Sequence, residues 1–220
     1  MEKQILATNI DGFLIYHSAF IEPHRIWFDR AILLTKDKNL KKWKGHPEYF
    51  KGVNEAMEKI LPNASKEERT KTARDWYQED VVYYISLHPE TVNRKLAEIL
   101  IKLKESFTLA LITTNTREYI QEILKVANLE GIYDIIYASS SEEEPDKKKI
   151  FREFIERYGE PKYYIASRSK EAFEELIKIG TFRIYFAPDE INPELKEMAS
   201  KTITEYAELE KINGISSQPS

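Results

Sequence analysis

Five short apolar runs constrain this chain more than anything else in it: Gln4 to Ile10, Phe107 to Thr113, Tyr133 to Ala138, Tyr163 to Ala166 and Phe182 to Phe186. Runs of this length without polar alternation suit strands covered on both faces, the condition of a parallel sheet. Single helical segments separate the last four. Thr116 is placed to cap a helix bearing Ile120, Ile123, Leu124 and Ala127 that ends near Gly131. A second follows Asp146 with Ile150, Phe154 and Ile155, and a third follows Ser169 with Phe173, Leu176 and Ile177, closing at Gly180. Ahead of the second strand, Pro89 to Lys104 puts Val92, Leu96, Ile99, Leu100 and Leu103 on one helical face. The alternation predicts an α/β fold: a doubly wound, Rossmann-like parallel sheet.

The stretch 16–88 breaks that rhythm. It lacks strand alternation and carries helical patterning rich in aromatics, among them Phe20, Trp27, Phe28, Trp43, Tyr49, Phe50, Trp76 and Tyr77. It reads as a helical cap inserted into a core made of residues 1–15 and 89–213, with 214–220 a Ser/Gly/Pro/Gln tail expected to be disordered. An insertion directly after the first strand lies beside the carboxyl ends of the strands, where ligands of open α/β sheets bind, so a lid over a site is expected. The aromatics are expected to form the core of this small unit rather than a ligand cage.

Composition removes several function classes. The 33 basic residues are spread along a chain of net charge −4, so the basic stripe of a nucleic-acid binder is missing. The absence of cysteine rules out disulfides, thiol nucleophiles and cysteine zinc sites, and suits a reducing compartment. No run reaches the length of a membrane span, and Asn9 and Asp11 interrupt the N-terminal apolar stretch, unlike a signal peptide. A cytoplasmic protein without membrane or nucleic-acid partners is expected. His17, His24, His46 and His88 show no paired metal spacing and are given no ligand role.

Four segments carry the chemistry. The first strand ends Asn9-Ile10-Asp11-Gly12-Phe13-Leu14, and the second ends Ile112-Thr113-Thr114-Asn115. Glu144-Pro145-Asp146 precedes Ile150-Phe151, and Tyr163-Tyr164-Ile165-Ala166-Ser167-Arg168 leads to Ile179-Gly180. In order and setting these resemble the haloacid dehalogenase (HAD) superfamily with a type 1 cap, whose first strand ends Asp-x-Asp-Gly-Thr-Leu. The likeness covers nearly the whole chain, including Lys201 to Thr204 as a closing strand.

The resemblance implies a phosphohydrolase ancestry with its machinery reduced. The family's first Asp attacks phosphorus and helps hold magnesium, and here that position is Asn9, whose amide has no anionic oxygen for either task. Asp11 keeps the family's acid/base position. Ser167 and Ala172 stand at the two acidic positions of the fourth motif, and Glu144 replaces the family's Lys, with Lys147, Lys148 and Lys149 close by. Phe13 stands where the family has Thr, with bulk enough to fill part of the pocket. Thr114 and Asn115 are candidate ligand contacts, equally readable as loop residues satisfying local backbone groups. Arg168, with Lys147 as a second candidate, is expected to replace metal charge and hold an anion; the blander alternative is a surface residue or a salt bridge to Asp11, with Lys147 at an exposed helix start.

Three functions follow from this reading. The first is a catalytically weak or inactive relative with a binding or regulatory role, taking a small anionic or phosphorylated ligand and no cofactor. The second is an active phosphatase on a small phosphomonoester, the one case in which magnesium is expected. The third is a module that binds a protein partner through Trp27, Trp43 or Trp76 of the cap.

Overall fold

The computed structural model describes residues 3–46, 48–140 and 146–212. The chain runs β1 (Gln4–Thr8), α1 (Ser18–Thr35), α2 (Tyr49–Ile60), α3 (Lys66–Leu87), α4 (Arg94–Leu103), β2 (Phe107–Thr113), α5 (Arg117–Val126) and β3 (Ile135–Ala138). It continues through α6 (Lys147–Tyr158), β4 (Tyr163–Ala166), α7 (Lys170–Ile179), β5 (Phe182–Phe186), α8 (Pro193–Met198), β6 (Lys201–Ile203) and α9 (Tyr206–Leu209). The six strands form one parallel sheet in the order β3-β2-β1-β4-β5-β6. This is the doubly wound α/β arrangement expected from the apolar runs.

Alternate strand residues serve opposite faces, as the pleat requires. Leu6, Leu109, Ile165 and Ile184 pack with α4, α5 and α9, while Ala7, Ala110, Tyr164 and Tyr185 pack with α6, α7 and α8. The two-sided burial explains why these strands are mostly apolar, with exceptions such as Gln4 and Arg183 toward their starts. Chain order reverses between β1 and β4, whose ends lie side by side with Thr8 opposite Ile165, and Leu111 of β2 flanks Thr8 on the other side. The crevice at such a reversal is where α/β sheets bind ligands.

Side-chain caps set the starts of several helices, among them α3, α4, α5, α6 and α8. Thr116 Oγ1 accepts from the Tyr119 N–H at 3.3 Å, as expected. The predicted start at Pro89 is displaced: Pro89–Thr91 makes only a 3₁₀ turn, and α4 begins after Asn93, whose Oδ1 accepts from the Leu96 N–H at 3.1 Å. A side-chain cap fixes the first turn more firmly than a proline that merely tolerates it.

From Ser18 to Leu87 the described residues hold helices and no strand. Trp27, Phe28, Leu40, Ala56 and Met57 form an inner cluster with Trp43 and Trp76 against it. Gly52 of α2 leaves room for the Trp43 ring, since a Cβ there would stand 2.2 Å from it. The helical segment joins the sheet through two neighbouring connections: the Tyr16 N–H donates to the Thr91 carbonyl at 2.8 Å, and the Asn93 N–H to the Leu14 carbonyl at 3.0 Å. No described helix is long and apolar enough to cross a membrane. Glu144 and the tail 214–220 lie outside the described residues.

Candidate functional site

Three chain crossings at the strand ends build the floor of the site. Leaving β1, Asn9 donates its side-chain N–H to the Asp11 carbonyl at 2.8 Å, and its Oδ1 is buried without a hydrogen-bond partner. The chain then turns sharply at Gly12, with φ +69°. A Cβ at Gly12 would stand 2.5 Å from Arg168 Cδ, so the Arg168 side chain crosses directly over the turn and only glycine leaves it room. Past the turn Phe13, Leu14 and Ile15 are buried. Phe13 packs edge-on against Phe186 in the core and does not enter the cleft, contrary to the expectation from its bulk.

The same turn returns His17 to Asp11, Nδ1 to Oδ1 at 2.7 Å. The expected Arg168–Asp11 bridge is absent among the described residues, where Asp11 pairs with His17 and Lys170 with Glu194 at 3.0 Å. Sequence spacing assigns His17 no role because a contact between residues six apart exists only once the turn is known.

At the end of β2, Thr113 Oγ1 accepts from both the backbone and side-chain N–H groups of Asn115, at 3.1 and 3.3 Å. Thr114 offers its carbonyl to Arg74 of α3 at 3.3 Å, so a cation from the helical segment stands over this loop. Burial pushes the Arg74 pKa below its usual value, although a guanidinium stays charged. At the end of β4, Ser167 is half-buried and Arg168 exposed. Half-buried Lys147 of α6 pairs with Glu171 of α7 at 2.6 Å. Ala172 is fully buried in the core, while its neighbour Glu171 lines the cleft.

Between this floor and the helical segment lies a cleft of about 1240 Å³. It brings together Asn9, Asp11, Thr114, Asn115, Lys147 and Arg168. Among the described residues, seven lysines and arginines line it against three carboxylates, Asp11, Asp146 and Glu171. Three of the cations, Lys66, Arg69 and Arg74, come from α3 and were missed from sequence; their helical spacing toward one face was the available signal.

Tyrosines surround Asp11. Burial first, and then the Asp11 charge, raises Tyr49 to about 12, while burial, neighbouring tyrosines and Asp11 raise Tyr77 and Tyr119 well above the ordinary value. All three remain neutral hydroxyl donors, and the buried Tyr119 hydroxyl has no partner. Trp27 is 2% exposed and packs in the inner cluster, as the core role predicts, with half-buried Trp43 and Trp76 against it. Phe50, by contrast, is exposed at the cleft.

A magnesium ion fits this floor poorly. Hard dications need converging charged oxygens, yet no group of three His, Cys, Asp or Glu side chains suited to a metal exists among the described residues. Asn9 turns an N–H toward the Asp11 carbonyl, and the Asp11 carboxylate is engaged by His17.

A sequence model of haloacid dehalogenase-like hydrolases matches residues 12–167. The match begins after Asn9 and Asp11. A phosphoglycolate phosphatase from Aquifex aeolicus (strain VF5) is 29% identical over 161 residues, 68% of each chain. A haloacid dehalogenase-like family protein from Streptococcus pneumoniae superposes with a TM-score of 0.66 at 16% identity, over 96% of this chain and 98% of that one. A predicted phosphatase from Clostridium acetobutylicum gives 0.66 at 18% identity, over 97% and 99%.

Proposed function

The chain belongs to the haloacid dehalogenase-like hydrolase family, and we propose that it binds a small phosphorylated ligand in its cleft with little or no hydrolysis, the helical segment 16–88 serving as the cap over it. The observation that carries this proposal is Asn9: its amide holds the Asp11 carbonyl at the strand end, in a cleft rich in lysine and arginine. An amide is too weak a nucleophile to form a phosphoryl intermediate. Asp11, oriented by His17, can hold or move a proton but has no such intermediate to act on.

Binding draws on what remains. Arg168 crosses Gly12 and Arg74 stands over Thr114, both lining the cleft, and charge-assisted bonds from guanidinium to phosphate are the strong kind. Lys147 contributes less net charge because Glu171 neutralises it. With cations in place of a metal, the affinity is expected to be independent of magnesium. A cysteine-free chain of this kind suits the cytoplasm.

Titration calorimetry in EDTA with inorganic phosphate, glycerol 3-phosphate and 2-phosphoglycolate tests this. At least one is expected to bind, and Arg168→Ala to weaken it by about tenfold or more, the equivalent of roughly 1.4 kcal/mol. Absence of binding by all three would sink the proposal. The second reading, an active phosphatase using a water activated by the Asp11–His17 pair, is favoured only by that pair and predicts turnover that Asp11→Ala abolishes.

A further inference from the structure

Half of the large apolar side chains that stand exposed among the described residues lie on two neighbouring helices. They are Ile26, Leu33 and Leu34 on α1 and Tyr83 and Leu87 on α3, with Leu33 77% and Tyr83 65% exposed. On α1, Ile26, Arg30 and Leu33 follow at i, i+4 and i+7 with Leu34 beside them, and on α3 Trp76, Asp80, Tyr83 and Leu87 follow at i, i+4, i+7 and i+11. Each set forms one stripe along its helix. Arg30 joins the stripes: its guanidinium pairs with Asp80 and lies over the Trp76 ring, 5.3 Å from the centroid. None of these residues lines the cleft, where α1 presents Phe20, His24 and Trp27 instead. The face is therefore a surface separate from the cleft. Apolar side chains gathered on one face stay exposed at the cost of the hydrophobic stabilisation that covering them would supply, which marks such faces as contact surfaces.

The charge pattern selects the occupant. Along α1, Ile26 and Leu34 stand four residues either side of Arg30, and the flanks beyond them differ in sign: Glu22 lies one turn before Ile26, and exposed Lys36 and Lys38 follow Leu34. A second α1 laid antiparallel across the first, about a two-fold axis at Arg30, sets Ile26 against Leu34 and Glu22 against Lys38, and repeats both contacts at the other end. Glu22 also pairs with Arg25 one turn on, an exposed contact of little strength. Two Arg30 side chains can approach the axis because Asp80 neutralises each within its own chain. At 18 residues α1 is about 27 Å long, and two helices side by side are about 20 Å wide, so two copies together would cover on the order of 1,000 Å². That is the lower limit of a specific interface and fits a reversible dimer.

We propose that the α1–α3 face is the contact between two copies of this chain, packed antiparallel across a two-fold axis at Arg30, with the cleft of each copy outside the contact.

Sedimentation velocity on the full chain, from about 1 to about 100 μM, tests this on wild type, on Leu33→Glu/Tyr83→Glu and on Ile177→Glu, an exposed apolar residue of α7. Wild type and Ile177→Glu are expected to pass from monomer to dimer over this range. The double variant is expected to raise the dissociation constant by about tenfold or more, with an unchanged far-UV circular dichroism spectrum. The register is read by cross-linking, since the chain has no cysteine. In Ile26→Cys/Leu34→Cys the two thiols stand about 12 Å apart along one helix, beyond the roughly 7 Å reach of a disulfide, so oxidation is expected to give a covalent dimer and no internal bridge. A wild type that stays monomeric overturns the proposal and leaves the face to a different protein. A dimer that survives Leu33→Glu/Tyr83→Glu, or that Ile177→Glu breaks equally, puts the contact elsewhere and overturns it too. A reversible dimer that gives no covalent product overturns the antiparallel pairing.

Discussion

His24 is stacked on Tyr77 and tilted against Tyr49, with ring centroids 4.3 and 4.2 Å away. Burial, and then the nearby charge of His17, pulls its pKa down to about 4. Between pH 4 and 6.5 the unfolded chain therefore binds a proton that the folded chain refuses. The stabilisation is complete above about pH 6.5 and is lost as the pH falls toward 4, with a ceiling on the order of 3 kcal/mol. Urea midpoints at pH 7 and pH 5 measure it: the wild-type midpoint is expected to fall, and His24→Phe to fall clearly less. An equal fall in both would place the acid sensitivity elsewhere. At this scale the sequence exposes identities but not neighbours. Asn9, Asp11, Thr114, Asn115, Lys147 and Arg168 were legible as candidates and do line one cleft. The partner of Asp11 was not, because it depends on the turn at Gly12 that brings His17 back.

Among the elements, α3 has two roles that its pattern superposes. Val81 and Ile85 bury against the main core, while the residues from Lys66 to Tyr77 on one face look into the cleft. The superposition hides the cationic face from a search for apolar periodicity alone. The helix begins with a capping box in which Ser65 Oγ accepts from the Glu68 N–H at 3.1 Å and Glu68 returns the contact. Ser65→Ala is expected to cost about 1 kcal/mol, a fall of roughly 2–4 °C in Tm for a chain of this size, read by thermal unfolding. No change would mean that α3 is held by its packing alone. Strands were the most legible elements, with Phe107–Thr113, Tyr163–Ala166 and Phe182–Phe186 found residue for residue. Their two-sided burial makes these runs mostly apolar, which sets them off from the segments around them. The start of α4 was misplaced because Asn93, a polar residue inside an apolar pattern, sets it.

At the scale of the molecule, the side-by-side connections at Tyr16–Thr91 and Leu14–Asn93 fix the helical segment above the reversal of strand order, which places Arg74 over the β2 loop. Among the described residues the cleft between them carries more cations than carboxylates inside a chain of negative net charge, and charges are screened beyond about 8 Å at physiological salt, so a ligand in the cleft meets this local balance first. In the proposed reading, fold and charge keep a cleft suited to an anion, while Asn9 and Ser167 stand where the resemblance implies the nucleophile and a metal carboxylate. The most direct measurement is release of p-nitrophenol from p-nitrophenyl phosphate with magnesium, by wild type, Asp11→Ala and Asn9→Asp/Ser167→Asp. The account predicts a silent wild type and metal-dependent turnover in the double variant. Wild-type turnover that Asp11→Ala abolishes would contradict it and make the protein a phosphatase with an unusual site.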